Sequence, residues 1–184
     1  RRTRRPPTLP RPAAGETDVP ELGFDVVELP DTDHVAEGDT APDFTRPLVG
    51  TEYWEDAALS DVVDDRSVLC FTTMDAAFPA TYLWNEIDSR GWTDDVDVYG
   101  LSISTPYAHK ELLRRRADGV RLWSDPGNDV ADEWGLAHEL DGMANVAEPR
   151  PAVYVLDEDL TVDHCWVAEQ WPDFPPYGEI EDRF

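Results

Sequence analysis

The sequence predicts an α/β domain, a three-layer sandwich whose mixed sheet is closed by a C-terminal antiparallel hairpin. Three observations predict it. Apolar strand-like runs alternate with helix-like segments from residue 60 onward, the helix-like segments open and stop on capping residues, and the last two strand-like runs are separated only by an acidic turn. Alternation of this kind builds a parallel core through crossover helices, and a short final turn can join only antiparallel neighbours.

Ser67-Val68-Leu69-Cys70-Phe71 is a short apolar run between polar flanks, the pattern of a strand buried on both faces. Residues 81–90 then place Leu83 and Ile87 four apart and stop before Gly91, which predicts a helix with a glycine C-cap. Residues 96–103 are β-branched with polar interruptions and read as the second strand. Thr105-Pro106 opens the next helix as N-cap and first-turn proline; Leu112 and Leu113 supply its apolar face and Gly119 ends it. Residues 120–123 are a short strand, and Asp125-Pro126 opens a third helix that closes at Gly135. Residues 152–156 and 161–168 are two strands joined across Asp157-Glu158-Asp159, a hairpin. The order β-α-β-α-β-α-β-β, hairpin last, is that of a thioredoxin-like architecture.

Composition narrows the function classes. Hydrophobic residues make up 41% of the 184, enough for a core, so a wholly disordered chain is excluded. With 40 acidic against 15 basic residues the net charge is −25, which argues against a nucleic-acid binder and against docking on anionic lipid. No apolar run is long enough to span a membrane, and the first residues lack the apolar core of a signal peptide. Two cysteines outside any CxxC pair supply neither a disulfide framework nor a thiolate zinc site. The expectation is a soluble cytoplasmic domain. Only one basic residue, Lys110, is a lysine, and aspartates cluster at Asp64-Asp65 and Asp94-Asp95. Such a surface repels itself where the Debye length is about 10 Å and is best tolerated in molar salt, where it falls to about 3 Å. The charge therefore predicts a salt-rich habitat rather than a cationic ligand.

Residues 1–34 read as a disordered or loosely attached extension, because the opening twelve residues hold five arginines and four prolines and nearly nothing apolar. Residues 35–171 form the domain, and residues 172–184 an acidic, proline-containing tail that lies over the surface or a partner.

Several fragments, in order, resemble one family. Gly38-Asp39-Thr40-Ala41-Pro42-Asp43-Phe44 is similar to an opening G-x-x-A-P-D-F, and residues 98–110, from Val98-Tyr99-Gly100 to His109-Lys110, to a strand and helix of the form V-x-G-I-S-x-D-S-x-x-x-H. Leu122-Trp123-Ser124-Asp125 resembles L-L-S-D, Val130-Ala131-Asp132-Glu133-Trp134-Gly135 resembles V-A-x-x-Y-G, and Arg150-Pro151-Ala152-Val153-Tyr154-Val155-Leu156-Asp157 resembles R-x-x-F-x-I-D. Together these resemble the peroxiredoxins, the alkyl hydroperoxide reductase and thiol-specific antioxidant group, over residues 35–171. The resemblance implies a thioredoxin-like fold, thiol-dependent reduction of peroxides, no cofactor, and a homo- or heterodimer formed through the family's surface.

It also implies a peroxide-attacking cysteine in the first turn of the helix after the first core strand, within P-x-x-x-T-x-x-C. A helix N-terminus stabilises the thiolate there, and a threonine hydroxyl and an arginine complete a cage of donors. Strand-to-strand matching puts that motif on residues 73–80. The family proline becomes Thr73, the threonine Ala77 and the cysteine Ala80, while Arg150 is retained. A methyl group cannot attack a peroxide.

Two other thiols are candidates. Cys70, in the middle of a strand, reads as core packing. Cys165 lies in the last strand between His164 and Trp166, and His164 points to the opposite face, so it cannot serve as its base. In the strand order the resemblance implies, residues 152–156 separate the two cysteines, too far for a disulfide. His138-Glu139 with Asp141 reads as turn solvation rather than a metal site, and Ser102 and Ser104 lack a GxSxG elbow. Arg150 serves equally as an anion ligand or as a structural ion-pair partner. Two functions remain: a peroxiredoxin-like protein whose thiol chemistry is absent or relocated, and a non-catalytic interaction or dimer-partner module.

Overall fold

The computed structural model describes residues 26–139 and 143–184. Its strands are β1 (Val27–Glu28), β2 (Thr45–Val49), β3 (Trp54–Ala58), β4 (Ser67–Phe71), β5 (Asp97–Ser102), β6 (Arg121–Ser124), β7 (Ala137–His138), β8 (Glu148–Pro149), β9 (Ala152–Leu156), β10 (Val162–Val167) and β11 (Gln170–Trp171). Its helices are α1 (Leu59–Val62), α2 (Phe78–Arg90), α3 (Trp92–Asp95), α4 (Pro106–Leu113), α5 (Asp129–Glu133) and α6 (Tyr177–Glu181).

Seven strands form one sheet in the order β10-β9-β4-β5-β6-β2-β3. β4, β5 and β6 run parallel, and the β9–β10 hairpin adds to β4 antiparallel, as the sequence predicts. The other flank departs from expectation. β2 pairs antiparallel with β6 and with β3, so residues 45–58 widen the sheet by a second hairpin. Arg46-Pro47 breaks the apolar pattern of β2, and Glu55-Asp56 fills the exposed part of β3; proline and acids are tolerated at a sheet margin, and for that reason they hide it from a periodicity reading.

Helix limits also move. α2 starts at Phe78, three residues before the predicted start, with Pro79 in its first turn where the missing N–H costs nothing. α4 is capped as predicted, Ala108 N–H donating to Thr105 Oγ1 at 3.5 Å, but ends at Leu113, short of Gly119. α5 is only five residues long: Asp125-Pro126 belongs to the preceding turn, where the Asp125 carboxylate accepts Val130 N–H at 2.9 Å.

Alternation along β4 separates two cores. Val68 and Cys70 pack with Leu83, Trp84 and Ile87 of α2, while Leu69 and Phe71 pack with Phe44, Trp134 and Tyr154. Gly100 allows α2 to sit against β5, because a Cβ there would lie 2.6 Å from both Trp84 and Leu122.

Packing continues past both expected domain limits. β1 pairs with β11, and Thr32 Oγ1 donates to the Gly135 carbonyl. α6 buries Tyr177 and Ile180, and Trp92 Nε1 donates to Glu181 at 2.7 Å. Parts of both flanking segments, residues 26–34 and 172–184, thus pack onto residues 35–171. The arginine-rich opening (within residues 1–25) and Asp141 (within 140–142) lie outside the described residues.

Candidate functional site

β4 delivers the chain at Phe71 into the loop of residues 72–77, and α2 takes over at Phe78. Distant side chains hold this loop. Met74 N–H donates to Glu148 Oε1 at 2.9 Å and Asp75 N–H to Ser104 Oγ at 3.0 Å. Ser102 Oγ donates to Asp75 Oδ1 at 3.3 Å, and His109 Nδ1 stands 2.9 Å from Asp75 Oδ2. His109, 1% exposed, has its Nε2 3.0 Å from the Trp123 carbonyl. A carbonyl only accepts, so Nε2 carries a proton there. The sequence reading missed Asp75 and Glu148 as site residues, and it weighed Ser102 and Ser104 only against a hydrolase motif. His109 carried a signal, as the histidine of S-x-x-x-H.

Ala80 is the third residue of α2 and 2% exposed, so it occupies the first turn after the first core strand. Ala77 is the N-cap and offers no side-chain acceptor. Thr73 is fully buried, its hydroxyl without a partner among the described residues. Thr73 and Ala80 line one small pocket with Leu83, Ala152, Asp173 and Phe174. Burial pushes the Asp173 carboxyl above the usual carboxylate range, although backbone N–H groups oppose the shift.

Arg150 is absent from that wall. It is 5% exposed and donates to the carbonyls of Ala168 at 3.3 Å and Pro30 at 2.7 Å, which ties the segment before β1's partner strand to residues 26–34. Burial, with Arg150's charge second, holds the nearby His138 below its ordinary pKa.

Both cysteines are free. β9 stands between their strands, and they pack on opposite faces of the sheet, Cys70 with the α2 layer and Cys165 against the other core. Burial pushes the Cys70 thiol far up. Burial, then the Glu37 charge, pushes Cys165 up as well, although its own N–H reaches Glu37. A nucleophilic cysteine needs the opposite shift. Among the described residues, no group of three or more His, Cys, Asp or Glu is placed to hold a metal ion.

The sequence profile of the AhpC/TSA family matches residues 37–165. The chain belongs to the AhpC/TSA family. Solved structures share the fold at low identity. A reduced 2-Cys peroxiredoxin from Plasmodium vivax is 17% identical, with a TM-score of 0.65 over 81% of this chain and 94% of that one. A thiol peroxidase from Chromobacterium violaceum is 20% identical, with a TM-score of 0.66 over 82% and 86%. The peroxidoxin BcpB from Mycobacterium tuberculosis is 22% identical, with a TM-score of 0.63 over 74% and 88%. No curated protein matches the chain. The AhpC/TSA match begins at Glu37 and ends at Cys165, so it spans β2 through most of β10 and includes the whole 72–80 segment.

Proposed function

We propose that this AhpC/TSA-family chain keeps the peroxiredoxin scaffold without thiol peroxidase chemistry and acts as a non-catalytic interaction or dimer-partner module. The observation that carries this reading is Ala80 in the first turn of α2. Peroxide reduction by this family's route needs a thiolate where the helix end supplies unpaired N–H groups and partial positive charge. Ala77 removes the hydroxyl and Thr73 the proline of the same motif, and Arg150 is committed to backbone carbonyls. Cys165 is the remaining, partly buried thiol, and its raised pKa argues against it as a relocated nucleophile. The net charge of −25 supports a protein at home in a salt-rich cytoplasm.

The test is peroxide consumption in high salt with a thiol reductant. Turnover equal to that of the Cys70→Ser, Cys165→Ser double variant is expected. Turnover that Cys165→Ser abolishes would overturn the proposal. Native mass measurement, alone and with an active family member, then tests the dimer-partner role.

A further inference from the structure

We propose that the C-terminal segment of residues 172–176 is a built-in strap that closes the pocket at the amino end of α2 and keeps reagents away from position 80. Two anchors hold it. On one side β11 pairs with β1. On the other, α6 buries Ile180, and Glu181 accepts from Trp92 Nε1 at 2.7 Å and Arg90 Nη1 at 3.1 Å. Between the anchors the Asp173 carboxylate folds the segment on itself, accepting from Glu169 N–H at 3.1 Å and Phe174 N–H at 3.0 Å.

That fold aims Phe174 at α2. Its ring centroid lies 4.7 Å from Tyr82 and 6.1 Å from Phe78, two residues about one helical turn apart. Asp173, Phe174 and Pro175 thereby line the same pocket as Thr73 and Ala80, Asp173 and Phe174 partly exposed and Thr73 and Ala80 buried. Offset and edge-on aromatic contacts of this kind hold a short segment without regular hydrogen bonding to its neighbour. The strap therefore covers the side of the pocket that faces Phe78 and Tyr82 of α2.

Labelling of a thiol installed beneath the strap separates this inference from the catalytic reading, because peroxide turnover is not the readout. Ala80→Cys is made in a Cys165→Ser chain, with Cys70 left buried. A thiol at that helix end is activated, so an open site would label faster than an ordinary thiol. Iodoacetamide labelling followed by intact mass is expected to be on the order of 100-fold slower in the folded chain than in the same chain in urea. Adding Phe174→Ala, or separately Tyr82→Ala, is expected to raise the folded rate roughly tenfold or more with circular dichroism unchanged. Fast labelling with the strap intact overturns the proposal, as does slow labelling that neither removal accelerates. If both removals cost the fold, hydrogen exchange in the strapped chain decides: labelling that outpaces exchange of the Phe174 amide overturns it, and labelling no faster than that exchange supports it.

Discussion

Asp75 Oδ2 lies 2.9 Å from His109 Nδ1, across 34 residues of sequence, while the other ring nitrogen of His109 is spent on the Trp123 carbonyl. The loop before α2 is thus tied to α4 and, through Ser102 and Ser104, to the end of β5. Removing one member of a buried polar pair leaves the other unpaired, at a cost of about 3 kcal/mol. His109→Ala and Asp75→Ala should each lower the urea midpoint accordingly. Asp75→Asn should cost less, since an amide N–H can donate to a neutral Nδ1. Equal losses for Asn and Ala would show that the pair contributes packing only.

Gly100 makes a second prediction. A Cβ there would lie 2.6 Å from Trp84 and Leu122, both fully buried, so the indole and the leucine cannot both stay in place. Gly100→Ala should destabilise by about 1–3 kcal/mol despite alanine's lower backbone entropy cost. Thermal unfolding followed by tryptophan fluorescence reads it, and an unchanged midpoint would show that α2 shifts freely.

Asp43 of the A-P-D-F fragment caps α1 from outside. Its carboxylate accepts from Ser60 N–H at 3.0 Å, from Ser60 Oγ at 2.6 Å and from Phe44 N–H at 2.9 Å, while α1's own N-cap, Ala58, offers no side chain. Burial pushes its pKa up, but Ser60 and the backbone N–H groups outweigh that and leave it below the ordinary 3.8. A depressed carboxyl contributes stability above 3.8 that fades as pH falls through the folded value. Asp43→Ala should cost about 1 kcal/mol at neutral pH. The difference from the unchanged chain should shrink once the carboxyl is protonated, in urea melts at neutral and strongly acidic pH.

His138 supplies the opposite titration. Burial first and Arg150 second lower its pKa, with Glu139 opposing. The folded state therefore disfavours the imidazolium. Its stabilising preference for neutral imidazole is intact above the ordinary 6.5 and is lost as pH falls from 6.5 towards the lowered value. His138→Gln should flatten the stability profile over that window while leaving the slope above pH 7 unchanged. A profile as steep as before would place the titration elsewhere.

Much of the fold was legible because it rests on local period. β4 carries the apolar run Val68-Leu69-Cys70-Phe71, α4 begins on Thr105-Pro106, and β9 and β10 flank an acidic turn. The β2–β3 hairpin escaped because β3 is the edge strand and β2 pairs with β6 only at Leu48 and Val49, so Pro47 and the acids of β3 each have one strand neighbour and carry no strand signal. At the site, strand-to-strand matching puts Ala80 in the first turn of a helix, even though periodicity alone starts that helix at residue 81. The sequence suits Arg150 equally to an anion and to a structural partner, because its carbonyl partners, Pro30 and Ala168, lie 120 and 18 residues away.

By itself the chain's order of residues determined the alternating sheet, its closing hairpin and the methyl group at position 80, since side-chain identity and short-range periodicity need no partner to be read. Only the tertiary structure decided that Asp75 meets His109, that Arg150 serves Pro30 and Ala168, and that Phe174 stands over the pocket beside Ala80. Those relationships are distances between residues far apart in the chain, and such distances exist only once the sheet has brought its strands together.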